Sequence, residues 1–385
     1  MHIALLTGEF PPMQGGVGAF TLELAKALAD QGDDLTVISS RAARPEGVSR
    51  DVREPLDLGF ARLVARGGRW QWRDMQMIAD TVLRYQPDVL NIQFQAAAYN
   101  MRHPALYALP WRLRGVVKTV VTFHDLRVPY LFPKAGRLRD WVVRRLARDA
   151  DGVIATNSAD FSRLTTWRNS HNVAQIPIGS NITRHPVPSA DIAALRQRLP
   201  ANGHLLAFFG FLHPDKGPEE LVAALAQLDP AVHLVFVGGQ TGSSDPTIVA
   251  SLAQLRAQIA SLHLEQRVHW TGFVEDAQVS AWLESADLVV LPYRDGVSLR
   301  RGTLMAALAH GCALVTTESA DTPLGTAAAT VPPRDPAALA ATIRHLLAHP
   351  DQRQSLGQAA LTLSRQFTWP DIARQTTRFF HTLLP

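Results

Sequence analysis

Two adjacent arginines, Arg300 and Arg301, stand in the stretch DLVVLPYRDGVSLRRGTLMAALAHGCALVTT at residues 287–317. Residues 287–292 read as a buried parallel strand, 302–310 as a short helix closed by Gly311, and 313–317 as the next strand. The arginines fall where the helix begins. A helix N-terminus carries partial positive charge from unpaired N–H groups, so cations there cost about 0.3 to 1 kcal/mol when the site is empty. No acidic side chain within 302–306 offsets them. A phosphate held jointly by the arginines and the N–H groups of Gly302 and Thr303 reverses that sign. The alternative is that Asp295 pairs with one arginine while the other points into water.

Three further loops carry polar residues directly after apolar runs. Gly15 and Gly16 open a helix after the run 2–7, which lets backbone N–H groups approach a charged or sugar ligand, or serves turn geometry alone. His124 and Asp125 follow the run TVVTF, so the imidazole lies at a strand's carboxyl end. Gly210, Lys216 and Gly217 lie in GFLHPDKGPEE just before a helix, where Lys216 is either a phosphate partner or a solvated lysine paired with Asp215.

The elements that must position these loops alternate strand and helix. In the N-terminal half, strands are predicted at 2–7, 34–39, 87–94, 116–123, 151–156 and 173–178, with a helix over 17–30. Residues 180–201, punctuated by Pro186, Pro188 and Pro200, read as a junction. A second series follows, with strands at 204–211, 233–238, 268–272, 287–292 and 313–317 and helices at 218–228, 246–262 and 276–285. Amphipathic helices over 335–348 and 352–366 and a last helix over 369–384 complete it. The expected fold class is α/β, two tandem doubly wound Rossmann-like domains facing each other across a cleft. The domain limits expected are 1–185, 186–366 and a C-terminal helical segment 367–385.

Composition narrows the function classes. A chain of 385 residues with 46% apolar and 19% charged residues suits two globular cores. A lone Cys312 excludes an internal disulfide framework, no apolar run reaches membrane-spanning length, and residues 1–9 lack the basic start of a signal peptide. A cytoplasmic protein is expected. Residues 1–190 hold 24 Lys and Arg against 17 Asp and Glu, whereas 191–385 hold 14 against 17. The basic half suits an anionic acceptor or lipid surface, or simply reflects an arginine-rich composition. The segment KAGRLRDWVVRRLAR at 134–148 sets six cations around Trp141, Val142, Val143 and Leu146, which fits peripheral contact with the inner face of the plasma membrane or a solvated helix.

Other motifs fit poorly. GGVGAF lacks the third glycine of a dinucleotide fingerprint, although Arg41 stands where such an enzyme would hold a 2′-phosphate. Asp149 and Asp151 spell a metal-type pair at the wrong end of a strand, so no metal site is expected. No P-loop, nucleophile elbow, Cys/His cluster or nucleic-acid module is present in the sequence.

Taken in order, FPPMQGGVGAF, PDVLNIQ, TFHD, IPIGSN, GFLHPDKGPEELVAAL, HLVFVGG, RVHWTGFV, ADLVVLPY and AALAHGCALVTT resemble the family 4 glycosyltransferases of GT-B fold over nearly the whole length. The closing FTWPDIARQTTRFF resembles that family's last helix, which returns to the N-terminal domain. The resemblance implies a retaining, metal-independent hexosyltransferase with a nucleotide-sugar donor as co-substrate, no other cofactor, and a glycan or lipid-linked acceptor. It places Gly15 and Gly16 near the donor phosphates and the acceptor, His124 on the transferred sugar, and Lys216 on the diphosphate. Gly210 lies in the same donor loop, and Phe273 and Val274 lie in the loop that meets the nucleobase. Two departures stand out. Phe211 replaces the family's phosphate arginine, and Ser298 and Ala306 replace the Glu-x7-Glu pair that serves the sugar and the ribose. The expectation is that Arg300 and Arg301 replace the missing arginine, with the leaving diphosphate stabilised by Lys216, both arginines and the helix start. The alternatives are a non-catalytic subunit or scaffold that has lost donor turnover, and another chemistry on this fold such as phosphorolysis or sugar-nucleotide epimerisation.

Overall fold

The computed structural model describes all residues except 49–53, 100–103, 127–136, 169–170, 198–202, 240–245, 321 and 323. The chain divides into two compact units, Met1–Gly179 with Thr368–Pro385, and Ser180–Phe367. Hydrogen bonding explains why the division comes six residues before the expected 185. Thr183 N–H donates to Asp276 at 3.2 Å, His185 N–H to Ser280 at 3.1 Å, and Arg184 pairs with Glu284 at 3.0 Å, all within the second unit.

The first unit holds β1 (His2–Thr7), β2 (Asp34–Ser40), β3 (Leu56–Asp57), β4 (Arg62–Gly67), β5 (Val89–Phe94), β6 (Lys118–Phe123), β7 (Gly152–Ala155) and β8 (Val173–Gln175). Their order in the sheet is β3-β4-β2-β1-β5-β6-β7-β8, parallel except where β3 meets β4. The sequence pattern missed β3 and β4. The segment RLVARG interrupts its apolar run with arginines, and Arg62 finds its partners across the fold, at Thr36 3.0 Å and Asp34 3.8 Å away on the neighbouring strand and over the Tyr85 ring. Helices Trp72–Tyr85, Pro104–Arg112, Arg137–Asp149 and Ser158–Trp167 share one core with one face of the sheet, through Ile78, Leu109, Val143 and Leu164. The last helix, Trp369–His381, belongs to this unit, where its Pro370 carbonyl accepts from Gln31 at 3.1 Å.

In the second unit β9 (His204–Phe209), β10 (Val232–Val237), β11 (Val268–Trp270), β12 (Leu288–Leu291), β13 (Leu314–Thr317) and β14 (Ala329–Val331) form a parallel sheet of order β11-β10-β9-β12-β13-β14. Alternate residues Leu206, Phe208, Leu234, Phe236, Leu288 and Val290 point to one core, so each strand is apolar on both faces only where helices cover both. Part of the expected junction is the helix Ser189–Arg196; Pro200 lies outside the described residues. The parallel strands of each sheet reverse their order once, at β1/β5 and at β9/β12. Open α/β sheets take ligands at the carboxyl ends of such reversals.

Candidate active site

At the β9/β12 reversal two loops are locked together. Gly217, with φ +70°, is the junction: a β-carbon there would stand 2.0 Å from the Pro292 carbonyl oxygen. Arg294 N–H donates to the Asp215 carbonyl at 2.9 Å, and its guanidinium spans Glu220 and Glu219 at 2.7 and 3.1 Å. The loop after β9 therefore reaches the loop after β12 in a fixed register, which sets Lys216 beside Arg301.

The Lys216 ammonium makes no hydrogen bond or ion pair among the described residues; Asp215 is paired instead with His213 at 3.6 Å. The residue keeps some exposed surface, but its ammonium lies among packed atoms. Burial first, and then the Arg301 charge, lower its pKa from 10.5 to about 8. Gly210 has φ +111°, and a β-carbon on it would stand 2.5 Å from Thr303 Cγ2 and 2.9 Å from the Lys216 amine. Gly210, Lys216 and Thr303 thus share one small space. Gly238 lies against Gly210, and Gly272 bridges Gly238, so the carboxyl ends of β9, β10 and β11 converge there. Phe273, next in the chain, is 63% exposed, and Val274 is half-buried.

Arg301 is the N-cap of the helix Gly302–Ala309, with no side-chain cap. Asp295 does pair with it, and its guanidinium lies 4.1 Å above the Tyr293 ring. Its Nε is buried without a partner. Beneath it the Tyr293 hydroxyl meets Thr303 Oγ1 at 2.8 Å, and burial raises the phenol to about 12. Arg300 is half-buried, and its guanidinium makes no hydrogen bond or ion pair among the described residues. Its N–H faces Ser298 Oγ at 3.5 Å. Ala306 is fully buried, its carbonyl accepting from His310 Nδ1 at 2.8 Å. Asn181 was not singled out by sequence, yet its Oδ1 crowds Gly302, 2.8 Å from where a β-carbon would be. This site sets Lys216, Arg300 and Arg301 at a helix N-terminus, with Asp295 as the carboxylate on Arg301.

In the first unit the helix Gly16–Asp30 begins beside Gly15, and two of its N–H groups have a resident partner: Glu9 accepts from Val17 N–H at 2.9 Å and Gly18 N–H at 3.2 Å. A β-carbon on Gly15 would stand 2.1 Å from the Glu9 carboxyl, so a larger residue there has to displace that side chain from its N–H partners. Glu9 thus occupies part of the helix start, beside the Gly15–Gly16 pair where a charged or sugar ligand is expected. Burial raises the Glu9 pKa against the opposing pull of both N–H groups.

His124 is bonded through Nε2 to Gln93 Oε1 at 2.9 Å. Phe20 meets its ring edge-on at 4.7 Å and is itself packed 5.3 Å from Trp369. Burial holds the imidazole neutral, down to about 3. Elsewhere Asp149 pairs with Arg145 and Asp151 accepts from Thr119, both structural roles. Among the described residues no three His, Cys, Asp or Glu side chains cluster as metal ligands, and no helix is long and apolar enough to cross a membrane. Of the basic stretch 134–148, residues 134–136 lie outside the described residues.

Residues 15–179 match the glycosyl transferase 4-like domain, and residues 203–349 match the glycosyl transferases group 1. The first match ends at Gly179, where the first compact unit ends. Together they take in every strand of both sheets except β1, and the chain belongs to this glycosyltransferase family, with the GT-B pair of parallel sheets. It is similar to the D-inositol 3-phosphate glycosyltransferase of Xylanimonas cellulosilytica, at 26% identity over 97% of this chain and 94% of that protein. Among solved structures it resembles sucrose-phosphate synthase of Thermosynechococcus elongatus, with a TM-score of 0.78 at 21% identity over 100% of this chain and 99% of that one. It also resembles Anabaena HepE in complex with UDP-glucose, with a TM-score of 0.75 at 20% identity over 99% and 100%.

Proposed function

We propose that this glycosyltransferase is a retaining enzyme that moves a hexose from a nucleotide-diphosphate sugar to a hydroxyl of a glycan, glycolipid or other acceptor, without a metal ion. The carrying observation is the unpartnered Lys216 ammonium beside Arg301, at the start of helix Gly302–Ala309 and under Gly210. Two like charges held together and desolvated are a cost that a bound diphosphate removes. As the bond from sugar C1 to the phosphate oxygen breaks, negative charge grows on the diphosphate. Lys216, Arg301, the N–H groups at Gly302 and Thr303, and Arg300 at the rim stabilise it. The acceptor hydroxyl attacks C1 on the face the phosphate leaves, and its proton passes to the departing phosphate oxygen. Gly272, Phe273 and Val274 receive the base, and Ser298 offers a neutral hydroxyl in place of a carboxylate. The UDP-glucose bound by Anabaena HepE makes that nucleotide sugar the first donor to try.

One observation favours a second reading. Asp295 already neutralises Arg301, and Ser298 and Ala306 carry no charge, as a non-catalytic subunit would tolerate. Thermal unfolding with UDP-, GDP-, ADP- and dTDP-sugars separates the two. A donor at 100 times its Kd adds about 2.7 kcal/mol to the stability of the unit that binds it. That gain is expected for one nucleotide and is lost in Lys216→Ala and Arg301→Ala; a folded protein that answers to none of the four is a scaffold.

Contact of the first unit with anionic lipid is part of the same proposal, supported by two exposed tryptophans. Trp111 and Trp141 are 57% and 52% exposed on the neighbouring helices Pro104–Arg112 and Arg137–Asp149. Arg144 and Arg145 there are each paired with an acid one turn away, so the helix presents less free charge than its composition suggests.

A further inference from the structure

His124 sits at the end of a hydrogen-bond chain whose direction can be read from one main-chain oxygen. The Val120 carbonyl can only accept. Asn91 Nδ2 donates to it at 3.3 Å, which fixes the amide nitrogen of Asn91 on that side; the Thr122 hydroxyl, which can donate or accept, lies 2.9 Å from Nδ2 and 3.4 Å from Oδ1 and leaves the choice to Val120. Asn91 Oδ1 therefore faces Gln93, whose Nε2 donates to it. Gln93 Oε1 is left facing the imidazole, 2.9 Å from His124 Nε2. An amide oxygen only accepts, so Nε2 carries the proton. In a neutral ring the lone pair then lies on Nδ1.

Reversing the chain would set the Asn91 and Val120 oxygens 3.3 Å apart in a fully buried place, where an unpaired polar atom costs about 1 to 3 kcal/mol. Asn91 and Gln93 are both wholly inaccessible, so water cannot rescue the reversed arrangement. The main chain of His124 is fixed by its backbone N–H, which donates to the Phe94 carbonyl at 3.0 Å, and the ring by the edge of Phe20. No described residue bonds Nδ1.

We infer that His124 meets substrate as a neutral hydrogen-bond acceptor through Nδ1, taking a hydrogen bond from a sugar hydroxyl, and that Gln93 and Asn91 are the positioning residues that set this polarity. The identity of the hydroxyl rests on the glycosyl-transfer reading; the polarity does not. A lone pair repels phosphate oxygens, so the histidine is no diphosphate ligand. A ring that stays unprotonated is no general acid either. Two buried amides on a central strand thus convert a main-chain carbonyl into a tautomer selector.

The test begins with the intact protein labelled with 15N-histidine, the His124 signals being assigned by their loss in His124→Phe. Protonated Nε2 and bare Nδ1, unchanged from about pH 8 to about pH 5, are expected; a protonated Nδ1 overturns the inference. Gln93→Glu puts a carboxylate against the ring, which raises the imidazole pKa and converts Nδ1 to a donor as pH falls. With UDP-glucose as the probe and free UDP as the readout, this variant should lose about tenfold more activity than wild type between pH 8 and 5.5, the effect of one misdirected hydrogen bond. Equal pH profiles with an unshifted ring titration also overturn it. If Gln93→Glu does not fold, the wild-type spectrum decides. If wild type does not turn over UDP-glucose, the donor assignment fails while the spectrum still decides the polarity.

Discussion

Lys216→Met should stabilise the unliganded protein at pH 7 while abolishing its response to donor. The methionine keeps the buried stem and removes the charge. In the folded state burial and Arg301 bring the amine from 10.5 to about 8, whereas the unfolded chain keeps the ordinary value. That fall corresponds to at most about 3 kcal/mol, and access of water to the partly exposed residue reduces it to about 1 to 2 kcal/mol. The sign follows from proton counting. Between pH 8 and 10.5 the unfolded chain binds more protons at this site, so stability rises with pH across that window. The cost is fully present below pH 8 and gone above 10.5. For a unit of this size, 180–367, about 1 to 2 kcal/mol is a Tm difference of roughly 2 to 8 °C. Thermal unfolding of both proteins at pH 7, 8.5 and 10 gives the difference with other titrating groups cancelled. The variant should melt higher at pH 7, and the gap should close toward pH 10. A variant that melts lower at pH 7, or a gap independent of pH, would refute the claim that the ammonium is held at a cost for a ligand's sake.

Gly217→Ala should destabilise the second unit by about 2 to 4 kcal/mol, from the strain of a side chain at φ +70° and the collision with the Pro292 carbonyl; a Tm within a degree of wild type would show that the two loops are not locked. Glu9→Ala should cost about 1 to 3 kcal/mol because Val17 and Gly18 N–H lose their acceptor. Glu9→Gln keeps an acceptor and cannot ionise. Since the folded carboxyl has a raised pKa, wild-type stability relative to Glu9→Gln should fall as pH rises above 4.5, and a rise instead would contradict the burial that the structure shows. Vesicles of anionic lipid at low salt should co-sediment the protein, and Trp111→Ala with Trp141→Ala should release it. Absence of sedimentation with the wild type removes the lipid-facing surface from consideration.

Much of this was legible in the residues. Apolar runs ending in Gly210, His124 and Pro292 marked strand carboxyl ends, and helix periodicity with Gly311 as a stop marked the cationic helix. Those signals are local, set by side-chain period and backbone preference within a few residues. The departures at Phe211, Ser298 and Ala306 were equally plain, because residue identity is all they require.

What only tertiary structure decided was which partner each charge finds. Asp295 took Arg301, leaving Lys216 and Arg300 without one among the described residues. Glu9 filled the helix start beside Gly15, eight positions in sequence from the Val17 N–H it accepts. Strand β4, masked in sequence by Arg62 and Arg66, formed because its neighbour supplied Thr36. Asn91 and Gln93 lie inside the predicted strand 87–94 without any local sign of a role, and the register of β5 against β6 brings them to Thr122 and His124. Local preference chooses elements, but hydrogen-bond direction and charge pairing depend on contacts between residues far apart in sequence, and those exist only once the sheets have closed.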